Sequence, residues 1–407
     1  MFIWSRVRLK QDNFVYFGFM LAIVKYAFAS TAFRLPHFCN ILLMMAALCC
    51  FITYIVLTQV RGKHFFIFLI SLVVSIATYL SNGHDDDLII MAVAVYALKD
   101  INIEKLIKYY AIVMLSFFSL VIVHSLITGE NIGIYAGFRV ARGYEYRYTF
   151  GFVHPNSLQG LYMWLVCGLI LSRWGQDRKK IKCILLEIIN IILFLLSDSR
   201  TGFLVVTAVL IMRFFSEYVI RKFGRKLFLF GISILNMGII SFTIFAAGYY
   251  NKFDFLRWIS TLITGRFEFA NRFLSRFPVR LFGSDIVYKN EYGYSLILDC
   301  GIMNTLLHYG LIVFIVSVVI YMLGVRRMWE QHNYGGMIVV TGYLIYSVME
   351  NIYFSIFTNL GLILCCYYVI NKGKIQCNRK DYRYEISTYS SNFEDKYIDA
   401  EKIKGWI

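Results

Sequence analysis

A short polar stretch between two long apolar segments holds the residue types best suited to chemistry. It contains Arg139, Arg142 and Arg147, followed closely by His154 and Asn156. Guanidinium groups bind phosphate oxygens through paired N–H donors, and an imidazole exchanges a proton near neutral pH. These residue types therefore predict a site that binds an anionic headgroup and transfers a proton.

A second basic stretch begins at Arg266 and is expected to form an amphipathic helix that Pro278 ends. At helical spacing, three arginines follow one face of this helix and three phenylalanines follow the adjacent face. They are Arg272, Arg276 and Arg280, and Phe269, Phe273 and Phe277. Such a helix lies in a membrane interface, with phenyl rings towards acyl chains and guanidiniums towards phosphate. The pattern predicts phosphate binding by Arg266, Arg272 and Arg276, and it fits a membrane anchor with no catalytic duty equally well.

Three further polar clusters are wedged between apolar segments, and we expect all of them at one membrane face. They are Ser197 to Thr201, then Asp299 with Asn304 and His308, and last Glu350 with Asn351 and Asn359. Positions 304 and 308 are one helical turn apart, which predicts that their side chains share a face with Asp299 above them.

The cluster at Ser197 to Thr201 has two interpretations. Asp198 and Arg200 either serve the site or simply pair with each other. In the second case the cluster caps the next helix, with Ser199 or Thr201 as the N-cap residue.

Composition indicates which elements position these clusters. The 407 residues are 59% hydrophobic and 16% charged, with a mean hydropathy of +0.62, which is too apolar for a soluble protein. Apolar runs of about 17–25 residues match a hydrocarbon core about 30 Å thick, so we predict an all-α polytopic membrane protein with about twelve transmembrane helices. The predicted spans are 14–33, 39–59, 65–81, 87–98, 109–128, 155–172, 182–197, 201–217, 227–249, 302–324, 335–350 and 353–370.

The distribution of basic residues predicts the orientation. Lysines and arginines concentrate in alternate short connections, above all in 173–182, whereas the acidic connection at Asp85, Asp86 and Asp87 falls on the other side. The positive-inside bias then places both termini in the cytosol. We predict one transmembrane domain over 1–371, with outer loops at about 129–154 and 250–301, and a cytosolic polar tail over 372–407.

The net charge of +16 and the nine cysteines bear on partners and cofactors. Because the basic residues lie mostly in loops between spans, orientation and anionic membrane lipid account for them, and we expect no nucleic-acid partner. Most cysteines fall inside apolar runs and none forms a CxxC pair, so we expect no metal site, no disulfide framework and no cofactor.

Several motifs, taken in order, resemble a known family. Arg147 to Asn156, read as RxxxGFxHPN, is similar to the motif of Wzy-type repeat-unit polymerases, which polymerise O-antigen and capsular polysaccharide. Further similar motifs follow along residues 139–360, namely Ser199-Arg200-Thr201, Gly265-Arg266, Leu281-Phe282-Gly283, Leu298-Asp299, Tyr309-Gly310, Glu350 and Asn359.

The resemblance implies a GT-C-like membrane glycosyltransferase. Such enzymes move a glycan from one undecaprenyl pyrophosphate onto the end sugar of another at the outer face of the cytoplasmic membrane. The products are capsular, exopolysaccharide or O-antigen chains, and a chain-length regulator and a flippase are implied as partners.

The resemblance also suggests roles for the site residues. Arg147, Arg200 and Arg266 are expected to bind pyrophosphate together with Arg139 or Arg142. Further substrate contacts are expected from Asn156, Arg272, Arg276, Asp299 and Glu350. His154 either acts as the base or orients the acceptor, and its alternative role is structural, with the ring fixing the turn before Pro155.

Two other functions fit parts of the pattern. A glycan ligase of the O-antigen-ligase type shares this layout but transfers finished chains to a lipid core or wall acceptor. A polysaccharide or lipid-linked sugar transporter with about twelve spans would place its polar residues near the membrane midplane in paired repeats, whereas here they crowd one rim.

Overall fold

The computed structural model describes residues 2–58, 62–139, 143–172, 174, 178–289 and 295–371. For residues 2–10, 63, 135–139, 143–145, 289 and 295 it describes the backbone alone. The described helices belong to one compact unit that ends at Ile370. The predicted polar tail over 372–407 lies outside the described residues.

The described part of the chain is built almost entirely from α-helices. In chain order they are α1 (Phe2–Ala29), α2 (His37–Leu57), α3 (Gly62–Ser81), α4 (Asp87–Ala97), α5 (Ile103–Thr128), α6 (Pro155–Leu171), α7 (Lys179–Ser197), α8 (Arg200–Phe223), α9 (Arg225–Tyr249), α10 (Asp254–Leu262), α11 (Arg266–Arg276), α12 (Gly301–Asn304), α13 (Leu311–Glu330), α14 (Tyr334–Ser347) and α15 (Leu360–Ile370). A π-helical turn, Thr305–Tyr309, joins α12 to α13.

Each predicted span overlaps a helix, but the lengths differ. Within the described residues, six helices are long and apolar enough to cross a membrane, and they are α2, α3, α5, α8, α9 and α13. The predicted span 302–324 is broken by the π-helical turn and Gly310, where φ is +93°. The predicted span 353–370 is helical only from Leu360, and the chain between α14 and α15 forms the loop that carries Glu350.

Helices α6, α14 and α15 are short and lie in the core. Nearly all of their residues are buried, including Leu158, Val166, Met337, Tyr343 and Leu364. A helix that is apolar around its whole circumference needs neighbours on every side, and these three meet α5, α8 and α13 as well as one another.

Side-chain contacts define the two ends of the bundle. At the end that we call the site end, Asn156 at the start of α6 reaches Glu350 after α14. At the opposite end, the Tyr54 hydroxyl donates to the Lys99 carbonyl at 2.7 Å, and the Trp329 indole donates to the Arg225 carbonyl at 3.1 Å. The segments that carry Arg266, Asp299 and Glu350 lie at the site end, together with the start of α6.

Two small antiparallel sheets lie in the connections and modify the all-α prediction. Strand β1 (Gly133–Arg139) pairs with β2 (Gly143–Tyr148), and β3 (Tyr288–Lys289) pairs with β4 (Ser295–Leu296). In the first hairpin Gly133 faces Tyr148, with an irregularity before Arg139. The hairpin lies between α5 and α6 and leads directly to His154.

Candidate functional site

His154 occupies the N-cap position of α6. Its backbone is extended, with φ −146° and ψ 150°, and Pro155 follows as the first helical residue. The Nδ1 atom accepts a hydrogen bond from the backbone N–H of Asn156 at 3.1 Å. The neutral ring therefore carries its proton on Nε2, which makes Nε2 a donor. Burial and the charges of Arg147 and Arg266 lower the pKa of His154, which favours this neutral form.

Arg147 points into the protein, because side chains alternate along β2. Tyr146 and Tyr148 are exposed, whereas Arg147 is only 6% exposed. The guanidinium donates from Nε to the carbonyl of Ser197 at 2.7 Å and from Nη2 to the carbonyl of Asp198 at 2.5 Å. These contacts satisfy carbonyl groups at the C-terminal end of α7, which helix geometry leaves without partners. Besides the pyrophosphate binding predicted for it, Arg147 thus stabilises the C-terminal end of α7.

Asn156 connects two segments that are far apart in the sequence. Its Oδ1 accepts a hydrogen bond from the Ser199 hydroxyl at 3.0 Å. Its Nδ2 donates to Oε1 of Glu350 at 3.4 Å. Ser199 holds the N-cap position of α8 but makes no side-chain cap bond, because its hydroxyl is used by Asn156. The predicted capping role of Ser199 is therefore replaced by a contact within the site.

Arg266 lies between two carboxylates. Its Nη1 pairs with Oδ2 of Asp299, and its Nη2 lies 3.5 Å from Oε1 of Glu350. The side chain is 13% exposed, and that of Asp299 is 40% exposed. Arg266 begins α11, whereas the two carboxylates follow β4 and α14. The charge of Arg266 is therefore already countered inside the protein.

Glu350 is the most enclosed carboxylate in this network. Burial raises the pKa of its carboxyl group, and Arg266 and Asn156 offset that effect only in part. The start of α12 also approaches its backbone closely, since a Cβ atom on Gly301 would lie 2.9 Å from the Glu350 carbonyl oxygen. A carboxyl group with a raised pKa is suited to proton transfer near neutral pH.

A buried amide supports the loop that carries Glu350. The Nδ2 of Asn359 lies 3.0 Å from the Ile352 carbonyl and 2.9 Å from the Tyr321 hydroxyl. Its Oδ1 accepts from the Leu362 amide at 3.0 Å. Asn359 is fully buried and holds the loop without touching the site itself.

Arg200 has the more accessible guanidinium. Its side chain is 51% exposed, and its Nε lies 3.6 Å from a carboxylate oxygen of Asp198. The expected Asp198–Arg200 pair is present at this distance. Because Arg147 donates to the carbonyl of Asp198, this residue links Arg147 and Arg200. Arg200 begins α8 immediately after Ser199, so it lies beside the Asn156 contact.

The remaining predicted arginines do not contact this network among the described residues. Arg272 pairs with Glu268 one turn earlier in α11. The guanidinium of Arg276 lies 4.7 Å from the centroid of the Tyr288 ring. Arg142 lies outside the described residues, and only the backbone of Arg139 is described.

The predicted interfacial placement of the α11 phenyl rings needs correction at Phe273. This ring is buried and makes an edge contact with Tyr288 at 5.5 Å. The buried face of α11 consists of Phe267, Ala270 and Phe273, and it packs on α9. Helix α11 ends at Arg276, just before Pro278, as the sequence predicts.

Asp299, Asn304 and His308 do not form the predicted single cluster, because the π-helical turn changes the spacing. Asp299 pairs with Arg266, and the Nδ2 of Asn304 donates to Oδ1 of Asn351 at 3.1 Å. The Nε2 of His308 instead lies 2.9 Å from Oδ2 of Asp85.

Sequence reasoning missed the contact between Asp85 and His308. Burial alone would raise the pKa of Asp85, but the hydrogen bonds with His308 and the Asp87 amide outweigh it and lower that pKa. Of the described residues, Asp85, Asp86 and Asp87 are close enough to share a cation, with ligand atoms within 4.8 Å. The sequence offered no signal that an acidic connection would meet a histidine 223 residues away.

The arrangement brings together a partly buried carboxylate, an imidazole with a donor at Nε2 and two guanidiniums at one end of a helical bundle. Protein-family models, curated proteins and solved structures were compared with the chain, and none of them matches.

Proposed function

We propose that the chain polymerises oligosaccharide repeat units carried on undecaprenyl pyrophosphate. The observation that best supports this function is the pair of hydrogen bonds made by Asn156, to Ser199 and to Glu350. They unite three of the separate motifs on which the resemblance rests, and Arg266 with Asp299 joins the same network. A site built from distant segments is typical of catalytic or binding centres.

We further propose the membrane arrangement that this reaction needs. In this proposal the chain crosses the cytoplasmic membrane about twelve times in a GT-C-like fold, with spans of the usual length. Both termini face the cytosol, and the site end faces outward. Both reactants are lipid-linked, so a site at the bilayer rim reaches them without a nucleotide-sugar domain. A flippase supplies the lipid-linked units and a chain-length regulator limits the polymer.

In the proposed reaction Glu350 is the general base. It takes the proton from the acceptor hydroxyl as the hydroxyl oxygen attacks the anomeric carbon of the donor sugar. The bond from that carbon to the pyrophosphate oxygen breaks, and the electron pair leaves with undecaprenyl pyrophosphate. The partly buried position and the raised pKa of Glu350 support this role.

The arginines counter the charge that develops on the leaving pyrophosphate. Arg200 is exposed enough to meet it directly. Arg266 is held by Asp299 and Glu350, and protonation of Glu350 removes one of these negative charges. Proton transfer would thereby free Arg266 to contact the leaving group. Stabilisation of this kind by preorganised charge is commonly a large part of catalysis.

In this proposal His154 orients the substrate through its Nε2 proton. Its Nδ1 is occupied by the Asn156 amide, so the neutral ring has no open lone pair with which to accept a proton. A donor at Nε2 suits a phosphate oxygen or a sugar hydroxyl. Of the two roles that the sequence suggests for His154, base or orientation of the acceptor, this proposal takes the second.

The decisive experiment is complementation of a host that lacks its own polymerase. The wild-type chain is expected to restore a ladder of polymer lengths on a gel, and Glu350→Gln is expected to leave single repeat units. Arg280→Gln is the matched control, because Arg280 is an exposed arginine with no place in the network. In the native cell, accumulation of lipid-linked polymer after deletion of this chain would instead identify a ligase. Two results together would refute the polymerase: the wild-type chain restores no polymer, and vesicles that contain it take up or flip lipid-linked sugar.

A further inference from the structure

A cavity of about 300 Å³ lies beside the site, next to the start of α2. Its lining combines apolar side chains with one guanidinium and one carboxamide, and consists of Phe28, Ala29, Arg34, Leu35, Asn40 and Val153. Among the described residues that line it, none is acidic. The cavity is open on one side. Its polar and apolar lining is complementary to a ligand that has a polar head and an apolar chain.

Arg34 is the charged group of the cavity. Its side chain is exposed, and among the described residues its guanidinium has no carboxylate or hydrogen-bond partner. The adjacent Asn40 donates from Nδ2 to the Leu35 carbonyl at 3.3 Å, which fixes the turn that carries Arg34. The guanidinium therefore faces an open space instead of a protein anion.

The cavity is joined to His154 through the backbone. The amide of Ala32 donates to the carbonyl of Gly151 at 2.9 Å, and the amide of Val153 donates to the carbonyl of Ser30 at 3.1 Å. Val153 lines the cavity and directly precedes His154. An occupant of the cavity would thus contact the segment that holds the imidazole.

In the part of the chain that the structure describes, the charge of Arg34 is not countered in the way that the charges of Arg200 and Arg266 are. Lysines and arginines of the short connections concentrate at the opposite end of the bundle, for example around Lys105, Lys179, Arg225 and Arg326. An arginine in a connection at the site end runs against that distribution, and among the described residues Arg34 lacks the nearby carboxylate that Arg200 and Arg266 have. Guanidinium groups pair most strongly with carboxylate or phosphate, and the apolar walls favour an anion attached to a hydrocarbon chain.

We propose that this cavity binds the phosphate group of a lipid, with Arg34 paired to the phosphate and the apolar walls covering the start of the hydrocarbon chain. The phosphate belongs either to a phospholipid headgroup or to a polyprenyl diphosphate. This inference does not require the polymerase reaction, because it rests on the cavity and its charge.

The test is native mass spectrometry of the purified full-length protein in detergent, with bound lipids counted. The probes are phosphatidylglycerol, farnesyl diphosphate and the uncharged farnesol. Arg34→Gln is expected to weaken one phosphate-lipid site by about tenfold or more, in line with the loss of a charge-assisted contact. Ala29→Phe fills the cavity from an exposed position and is expected to weaken the same site. Arg280→Gln is the matched control and is expected to bind like the wild type.

Competition between the probes identifies the source of the phosphate. Displacement of phosphatidylglycerol by farnesyl diphosphate assigns the site to a polyprenyl diphosphate, and retention of phosphatidylglycerol assigns it to a phospholipid. The proposal is overturned when Arg34→Gln binds both phosphate lipids like the wild type, or when farnesol binds as well as farnesyl diphosphate. If the wild-type chain binds the phosphate lipids but makes no polymer, the proposed polymerase function is refuted and the proposed lipid site is retained.

Discussion

Asn156 and Glu350 are 194 residues apart in the sequence, and the carboxamide of Asn156 donates to the carboxylate of Glu350 at 3.4 Å. This contact ties the start of α6 to the loop between α14 and α15. Because Asn156 also accepts from Ser199, one side chain holds three segments of the site together. The chemistry proposed for Glu350 depends on this geometry.

The role of His154 predicts different results for three substitutions. Asparagine caps helices well, so His154→Asn is expected to keep stability but lose most polymer, because the Nε2 donor is gone. His154→Ala is expected to lose polymer and, in addition, about 1 kcal/mol of stability with the cap. His154→Gln, a poorer cap, is expected to resemble the alanine variant in stability. Thermal unfolding and polymer gels provide the two measurements, and full polymer from His154→Ala would contradict a role in the reaction.

The raised pKa of Glu350 predicts how polymerisation activity changes on the acidic side of its pH profile. Burial raises its pKa above the usual value of 4.5, and the base must be ionised to accept a proton. Activity is therefore expected to fall as the pH drops through this raised pKa. The rate of polymer formation from purified lipid-linked repeat units measures the profile.

Two variants show whether Glu350 or His154 is the group that titrates in that profile. Glu350→Gln is expected to be inactive at every pH. The residual activity of His154→Asn is expected to keep the same acidic limb, since its titrating group is unchanged. Disappearance of the limb in His154→Asn would show that the imidazole is the group that titrates.

Arg147 predicts a coupled loss of stability and activity. Its guanidinium donates to the Ser197 and Asp198 carbonyls from a buried position, and hydrogen bonds to charged groups contribute about 1.5–3 kcal/mol. Arg147→Lys supplies one point charge in place of the planar fork, so it is expected to lower the melting temperature as well as polymer yield. Normal stability with lost polymer would instead assign Arg147 to the substrate alone.

Arg200 predicts a loss of activity without a loss of stability. Its side chain is half exposed and makes one distant ion pair, so Arg200→Gln is expected to leave the melting temperature unchanged. The rate is expected to fall by about 10²-fold or more if the guanidinium meets charge in the transition state. Arg280→Gln serves as the control in the same rate assay. Equal rates for the two variants would remove Arg200 from the mechanism.

Asp85 and His308 predict a measurable coupling. Their side chains meet at 2.9 Å and join the α3–α4 connection to the π-helical turn. A double-mutant cycle of Asp85→Asn and His308→Gln is expected to give a coupling energy of about 1 kcal/mol in thermal or denaturant unfolding. Strictly additive effects would mean that the contact contributes nothing to stability.

The helices and the start of the site follow from local properties of the sequence. The length of an apolar run and its hydropathy are local, so the predicted spans 39–59 and 201–217 overlap helices α2 and α8. Helix capping is local too. The sequence His154-Pro155-Asn156 is sufficient to suggest that His154 fixes the turn before Pro155, and the structure has His154 as the N-cap of α6. The end of α11 before Pro278 has the same origin.

Only the tertiary structure decided which polar groups meet. Arg147 faces inward because its strand packs one face on α7, and no sequence period within a short hairpin specifies that choice. His308 turns towards Asp85 and not towards Asn304, because the π-helical turn shifts the side-chain direction that a regular helix would have. Pairings such as Asn156 with Glu350 depend on the packing of helices distant in sequence, whereas hydropathy and capping depend only on neighbouring residues. This difference in range separates what the sequence alone determined, the helices and the candidate residues, from what folding added, the contacts among them.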